Sequence, residues 1–335
     1  GPDGWLYAAQ GSTVSGNVIR PGLDKQGQRT MGQLIWRYHP PTRRYEVFAE
    51  GGGNAFGVEI DAAGRIFSGH NGGNTRGFAY VQGGYYRKGF AKHGPLSNPY
   101  TFGYFEAMKH PNVPRFTHTY VIYEGGALGD KYEGKLFAAA PLQSHIEMSE
   151  VFADGSSLQT KDIGYPITST DEWFRPVDIK VGPDGAIYVA DMYEQLISHR
   201  QHFEGHISRE TGCIYRLRVK QPTAIAELDL AKASTEDLIH QGLAHPNKWH
   251  RQTALRLLGD RRDAKAVEPL RKLLNQQQGQ LALEALWALY LSGGLDEATA
   301  ARSLAHANPL VRMWTVRLLG DQNHAAPELT RRMVA

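Results

Sequence analysis

From the first residues to about position 220, apolar and polar positions alternate in short runs, each broken by a few residues of turn chemistry. The clearest turn, Gly1-Pro2-Asp3-Gly4-Trp5-Leu6-Tyr7, recurs as Gly182-Pro183-Asp184-Gly185-Ala186-Ile187-Tyr188. Fainter copies stand at Asp61-Ala62-Ala63-Gly64-Arg65-Ile66-Phe67 and Tyr132-Glu133-Gly134-Lys135-Leu136-Phe137. Glycine turns the chain at little steric cost, and the aromatic and β-branched residues after it favour a strand. After each clear copy a strand-like segment follows, Gly32 to Tyr38 and Gly212 to Arg218. The rhythm is one antiparallel sheet per roughly 50–70 residues, which predicts β-propeller blades. The expectation is an all-β domain over 1–220, its ring incomplete, with an irregular β-sandwich as the alternative.

The pattern then changes period. Residues 243–260 (LAHPNKWHRQTALRLLGD) align without gaps on 304–321 (LAHANPLVRMWTVRLLGD), with ten of eighteen positions identical. Leu283, Leu286, Trp287 and Tyr290 fall on one helical face. Ser234-Thr235-Glu236-Asp237 reads as a helix start, and Gly259 and Gly320 as stops. Helix pairs of about thirty residues, stacked face on face, are a HEAT-like repeat array. The expected organisation is therefore 1–220 propeller, 221–233 linker and 234–335 all-α HEAT-like repeats. His245 and His306 share one repeat position and read as structural.

Charge adds an exclusion. With 37 basic and 34 acidic side chains and no basic stripe, nucleic acid is not an expected partner. No apolar run reaches the ~18 residues of a membrane span. Cys213 is the single cysteine, so neither an intrachain disulfide nor a covalent c-type haem can form. The opening on turn residues, without an initiator Met, reads as mid-domain chemistry, so the chain is expected to be a fragment.

Candidate chemistry lies in three stretches. Gly51-Gly52-Gly53-Asn54-Ala55-Phe56-Gly57 and Gly69-His70-Asn71-Gly72-Gly73-Asn74-Thr75-Arg76-Gly77 are dense enough in glycine to let backbone approach a ligand, or are simply tight blade turns. In Trp173-Phe174-Arg175-Pro176-Val177-Asp178, the arginine can pin a carboxylate or lock two blades by pairing with Asp171 or Asp178. After Asp191-Met192-Tyr193 come His199, His202 and His206, which can be metal ligands or solvated loop histidines. Glu59 and Asp61 alternate on a strand and are candidate acid/base carboxylates. Glu59, His70 and Asp191 are the catalytic candidates. The expectation is that Asn54, Glu59, His70, Asn71, Arg175 and Asp191 meet at one mouth of the propeller.

The stretches GPDGWLYAAQGST, GQLIWRYHP, EGGGNAFGVEID, SGHNGGNTRGF, KHGPLSNPY, WFRPVDIKVGPDGAIYVADMY and GCIYRLR, with LAHPNKWHRQTALRLLGD, carry a family resemblance. The chain resembles the large PVC-type haem-binding CxxCH proteins, also named membrane-bound dehydrogenases. That resemblance implies a periplasmic or cell-surface protein whose haem c module lies in a C-terminal part beyond this chain. More distantly the first domain resembles soluble quinoprotein glucose/sorbosone dehydrogenases. It implies pyrroloquinoline quinone beside calcium, a histidine base upstream of Gly1, and a carbohydrate-like substrate. By that resemblance Asn54, Asn71, Gly72 and Arg175 are cofactor-binding positions. Gly53 and Val177 stand where that family has arginines, Gln143 where it has a lysine, and Arg76 and Gly77 where its calcium loop has aspartates. The expected function is carbohydrate oxidation with electrons passing to haem; the alternative is a non-catalytic scaffold that binds glycans, or protein partners through its HEAT repeats.

Overall fold

The computed structural model describes residues 1–335 apart from 13, 90–95, 115–116, 199–202, 206, 209, 226–227, 324 and 335. Two compact units emerge. One comprises Leu6–Asp61 and Arg65–Thr223, the other Gly1–Trp5, Ala62–Gly64 and Ala224–Ala335.

The first unit is built of β-sheets. Its strands begin with β1 (Leu6–Gln10), the separate hairpin β2 (Gly16–Val18) and β3 (Gln28–Thr30), β4 (Leu34–His39) and β5 (Arg44–Glu50). Next come β6 (Ala55–Ile60), β7 (Ile66–His70) and β8 (Phe78–Tyr80), an antiparallel meander. The short β9 (Gly84–Tyr86) and β10 (Gly103–Phe105) then add to the antiparallel sheet of β1, β4 and β5 by parallel pairing. Two further meanders follow. One runs through β11 (Tyr120–Ile122), β12 (Leu136–Ala140), β13 (His145–Asp154) and β14 (Ser157–Thr168), the other through β15 (Pro176–Val181), β16 (Ile187–Asp191) and β17 (Cys213–Leu217). Among the described residues no sheet closes on itself. The early strands lie side by side in chain order: β6 against β1 and β11, and β15 against β11 and β12.

Strand periodicity explains how these sheets stack. In the third meander Tyr120, Ile122, Leu136 and Ala138 point to a core shared with Phe67 of β7. Their neighbours Val121, Phe137 and Ala139 point the other way, to a core shared with Ile179, Ile187 and Val189 of the fourth. Successive side chains on a strand face opposite sides, so a sheet buried on both faces reads as an unbroken apolar run. LFAAA at β12 is such a run.

The recurring turn behaves alike in its clear copies. Gly4 N–H reaches Gly1 O at 3.1 Å, and Gly185 N–H reaches Gly182 O at 3.0 Å. The aspartate carboxylates accept from the N–H groups of Trp5 (3.3 Å) and Ala186 (3.1 Å). Gly4, Gly64, Gly134 and Gly185 all have φ between +71° and +80°, the left-handed region that favours glycine.

In the second unit, α1 (Thr235–Asp237) runs into a wider turn over Leu238–Gly242, followed by α2 (Lys248–Arg261). Then come α3 (Val267–Gln276), α4 (Gln280–Leu291), α5 (Glu297–Ser303), α6 (Pro309–Asp321) and α7 (Pro327–Val334). Ser234 caps α1 reciprocally with Asp237.

The identical residues of the two aligned segments have one job, done twice. His245 Nδ1 accepts from Asn247 N–H at 3.0 Å, and Asn247 Oδ1 caps α2 through Trp249 N–H. Arg251 reaches back to the carbonyls of His245 and Pro246. His306, Asn308 and Arg312 repeat each bond before α6, with Leu310 N–H capped and Ala307 O taken. Leu258 and Leu318 are buried in one core, with Leu257 half-buried against it, and Leu319 is buried in a smaller cluster with Ala300 and Leu329.

Gly259 and Gly320 are not stops. Both lie inside the last turns of their helices, and α2 ends on Arg262 in the left-handed conformation. A Cβ on Gly259 would stand 3.1 Å from Leu291 Cβ, so this glycine lets α4 come close. Helix α4 is buried nearly all round, from Ala282 to Leu289. Among the described residues no helix is long and apolar enough to cross a membrane.

Candidate functional site

The glycine-rich stretches wrap His70. It ends β7, opposite Ala55 at the start of β6. A Cβ on Gly53 would lie 2.3 Å from the imidazole, and one on Gly72 would lie 2.0 Å from Nε2. Only glycine therefore fits on either side of the ring. Phe78 meets it edge-on, with ring centres 5.2 Å apart. Nδ1 of His70 is buried and makes no hydrogen bond. Burial pushes the imidazole down to about 4, against a weaker upward pull from the Gly52 carbonyl, so the ring is neutral at neutral pH. Asn54 belongs to the same group: its carbonyl accepts from Asn71 N–H at 3.0 Å and its Oδ1 from Ser12 N–H at 2.8 Å.

Arg175 and Asp191 form a second group. Asp191 is buried, and Oδ1 accepts from the main-chain N–H groups of Arg175 and Tyr193, each at 2.8 Å. Oδ2 is buried and makes no other hydrogen bond among the described residues, with the Tyr215 phenol close by. The Arg175 guanidinium donates to Ser144 Oγ (2.6 Å), Phe174 O (3.2 Å) and Gln195 O (2.8 Å). The expected ion pairs to Asp171 or Asp178 are not its partners. Asp178 pairs with Lys180 at 3.5 Å, and Asp171 accepts from Tyr193 Oη at 3.1 Å. Tyr215 stands nearby on β17; burial, then the Asp191 carboxylate and Cys213, push its phenol up to about 12.

Strand register relates the two groups. Ala55 pairs with His70, so Asn54 immediately precedes a first strand whose start faces the end of the second. Pro176 pairs with Asp191 in the same way, which puts Arg175 at the position Asn54 holds. Between these meanders, His118 leads into β11 and stacks on Phe56 at 4.1 Å.

Glu59 is placed differently. It pairs with Phe67, inside the strand, and lies at a shallow surface depression with Thr119, Tyr120 and Lys180. Asp61 is a turn residue rather than a second acid: its carboxylate accepts from Arg65 N–H at 2.8 Å and Arg65 Nε at 2.6 Å. Burial raises Asp61 although the Arg65 cation opposes it.

Sequence reading missed the ionic cluster around Arg76. Its guanidinium is buried and forms ion pairs with Glu147 on β13 and Asp162 on β14. It also donates to Thr117 Oγ1 at 3.2 Å. The signal was one arginine in a glycine-rich loop, its partners far away in sequence.

These residues do not fit the cofactors that the resemblance implies. A trianionic quinone calls for several converging cations, and calcium for carboxylate and carbonyl oxygens. Gly53, Val177 and Gln143 bring no charge, and the Arg175 guanidinium is engaged with neutral groups of the fold. In the loop at 71–77, a buried guanidinium stands where a metal would need acidic oxygens. Among the described residues no three His, Cys, Asp or Glu side chains group as metal ligands. His199, His202 and His206 lie outside the described residues.

Residues 1–221 match the family model of a domain of unknown function, DUF7133, and residues 235–320 match that of HEAT repeats. No curated protein matches. Among solved structures the chain is similar to a protein of Thermus thermophilus provisionally named an oxidoreductase (glucose dehydrogenase). The two are 21% identical with a TM-score of 0.40, over 57% of this chain and 56% of that one. It is also similar to the PQQ-bound form of aldose sugar dehydrogenase from Streptomyces coelicolor (16%, 0.40, over 65% and 59%). The soluble aldose sugar dehydrogenase of Escherichia coli in its apo form is a third (15%, 0.36, over 57% and 58%). The chain spans a little over half the length of these proteins.

Proposed function

Because the chain belongs to the DUF7133 family, whose model takes in residues 1–221, we propose that this region forms propeller blades whose loop end binds a carbohydrate-like polyhydroxyl ligand. The carrying observation is the register equivalence of Asn54/His70 with Arg175/Asp191, which puts polar side chains at matching strand ends of two meanders on either side of the β11–β14 meander. In this reading the buried Asp191 Oδ2 accepts from a ligand hydroxyl, and Arg175 donates its remaining N–H groups. The HEAT repeats offer a face to protein partners. Calorimetric titration of the chain with mono- and oligosaccharides tests the site. Arg175→Ala and Asp191→Asn should each weaken binding on the order of 10-fold with the circular dichroism unchanged. Binding that neither substitution alters would overturn the assignment.

A second reading rests on the neutral His70. An imidazole held in its basic form can take a hydroxyl proton, as oxidation of a carbohydrate requires. The hydride leaving carbon would go to a two-electron acceptor, which would pass the electrons singly to a haem c module elsewhere in a longer, periplasmic or cell-surface protein. No quinone step is assigned, since the cation set does not suit one. The test is a dye-linked dehydrogenase assay on the longer protein from its native host, with copurifying cofactors identified by mass spectrometry. Absence of dye reduction with every sugar tried would leave the binding reading alone.

A further inference from the structure

We infer that Arg76 is a built-in cation: its guanidinium organises the 71–77 loop in place of a metal ion, so this part of the fold does not depend on calcium.

Four observations converge. Arg76 is 1% exposed although it lies in a loop, between Thr75 and Gly77. Its guanidinium meets Glu147, 2% exposed, through Nη1, and Asp162 through Nε and Nη2. Those carboxylates are themselves fixed: Ser149 Oγ donates to Asp162 at 2.6 Å, and His145 Nε2 lies 3.0 Å from Glu147 Oε1. His110 Nε2 also lies 3.5 Å from Asp162. The loop closes around this arginine through Thr75 Oγ1, which accepts from Gly77 N–H at 3.0 Å and donates to Met108 O at 2.7 Å.

The chemistry follows from the donors. A guanidinium brings a permanent charge and N–H groups in a fixed plane, and it links two carboxylates on different strands as a divalent ion would. It cannot be chelated away or deprotonated at accessible pH. Deprived of Arg76, the buried Glu147 and the half-buried Asp162 would keep only the neighbouring His145 and His110, both shifted toward the neutral form, a costly state that a cation can relieve.

The test uses the whole chain and thermal unfolding followed by circular dichroism. The wild type should melt at one temperature in EDTA and in calcium chloride. Arg76→Met should melt lower, by roughly 10 °C, and calcium should raise the melting point of this variant only. A triple variant, Arg76→Met with Glu147→Gln and Asp162→Asn, removes the stranded charges; it should regain most of the loss and ignore calcium. Because it carries no buried charge to strand, it keeps the proposal open to refutation even if Arg76→Met alone fails to fold. A wild type stabilised by calcium or weakened by EDTA would overturn the inference. So would a triple variant that melts no higher than Arg76→Met, or that calcium stabilises.

Discussion

Asp191 holds Arg175 by its backbone, not by its charge: Oδ1 takes the main-chain N–H at 2.8 Å, while the guanidinium turns to Ser144, Phe174 and Gln195. The acid therefore fixes where β15 begins, and among the described residues the arginine's charge has no carboxylate in hydrogen-bonding reach. Substitutions at the two positions should separate accordingly. Arg175→Ala loses three side-chain bonds to neutral groups and should cost about 1–3 kcal/mol of stability. Asp191→Ala frees two partly buried backbone N–H groups from a charged acceptor and should cost more, about 2–4 kcal/mol. Urea unfolding of both variants gives the order, and Arg175→Ala as the more damaging would reverse the roles assigned here.

His70 makes stability depend on pH in a predictable direction. Folding holds its imidazole near 4, whereas in the unfolded chain it titrates near 6.5. The stabilisation that comes from keeping it neutral is complete above about pH 6.5 and is lost as pH falls toward 4. At pH 5 this group alone should remove about 2 kcal/mol relative to pH 7. Burial lowers His110, His118 and His145 as well, so acid sensitivity has several sources. The difference between wild type and His70→Gln isolates the one at issue. If both lose stability in parallel between pH 7 and pH 5, His70 does not carry it.

The repeat geometry gives a sharper test of the helical unit. Asn308 caps α6 with Oδ1, and its Nδ2 donates to the carbonyls of Gln278 and Gly279. Asn308→Ala thus removes a cap and releases the preceding loop, an expected loss of about 1–2 kcal/mol. Leu258→Ala, which truncates a core side chain, should cost roughly 2–5 kcal/mol. Chemical denaturation monitored at the helical signal measures both, and a cost for Leu258→Ala below that for Asn308→Ala would contradict the packing described.

Local physics was legible in the sequence because each signal and its cause lie within a few residues of one another. The Asp-Gly turns, the alternating strands and the structural reading of His245 and His306 from their shared repeat position rest on contacts between residues close in sequence. The doubled apolar faces of β12 could be read as burial, though not as which neighbour each face meets. Long-range roles were not legible. Arg76 and Asp162 are 86 residues apart, and no local pattern couples them. The glycines at 53 and 72 read as ligand-approach positions, whereas what approaches them is His70 of the same chain. Asn54 and Arg175 could be selected as polar residues preceding strands, but their equivalence needed the registers of β6 with β7 and β15 with β16.

Two glycines in the same kind of turn should respond unequally to alanine, and the difference measures one contact. Gly134 has φ +71° and Gly64 φ +73°, so a Cβ strains the backbone equally at both. Around Gly134 a Cβ would meet nothing within 4 Å. At Gly64 it would lie 2.3 Å from Cζ2 of Trp314 and 3.1 Å from that of Trp287. Trp314 is in no position to yield, being fully buried, with its indole N–H on the carbonyl of Ala63 at 2.7 Å and the Arg317 guanidinium over its ring. Gly134→Ala should therefore cost only the left-handed strain, about 1–2 kcal/mol. Gly64→Ala should add an overpacking cost of about 1–3 kcal/mol. Combining Gly64→Ala with Trp314→Leu should recover that addition, because the clashing ring edge is gone, even though Trp314→Leu is itself destabilising. A double-mutant cycle on equilibrium unfolding extracts the coupling. A coupling near zero, or equal costs for the two glycines, would show that Trp314 does not press on this turn.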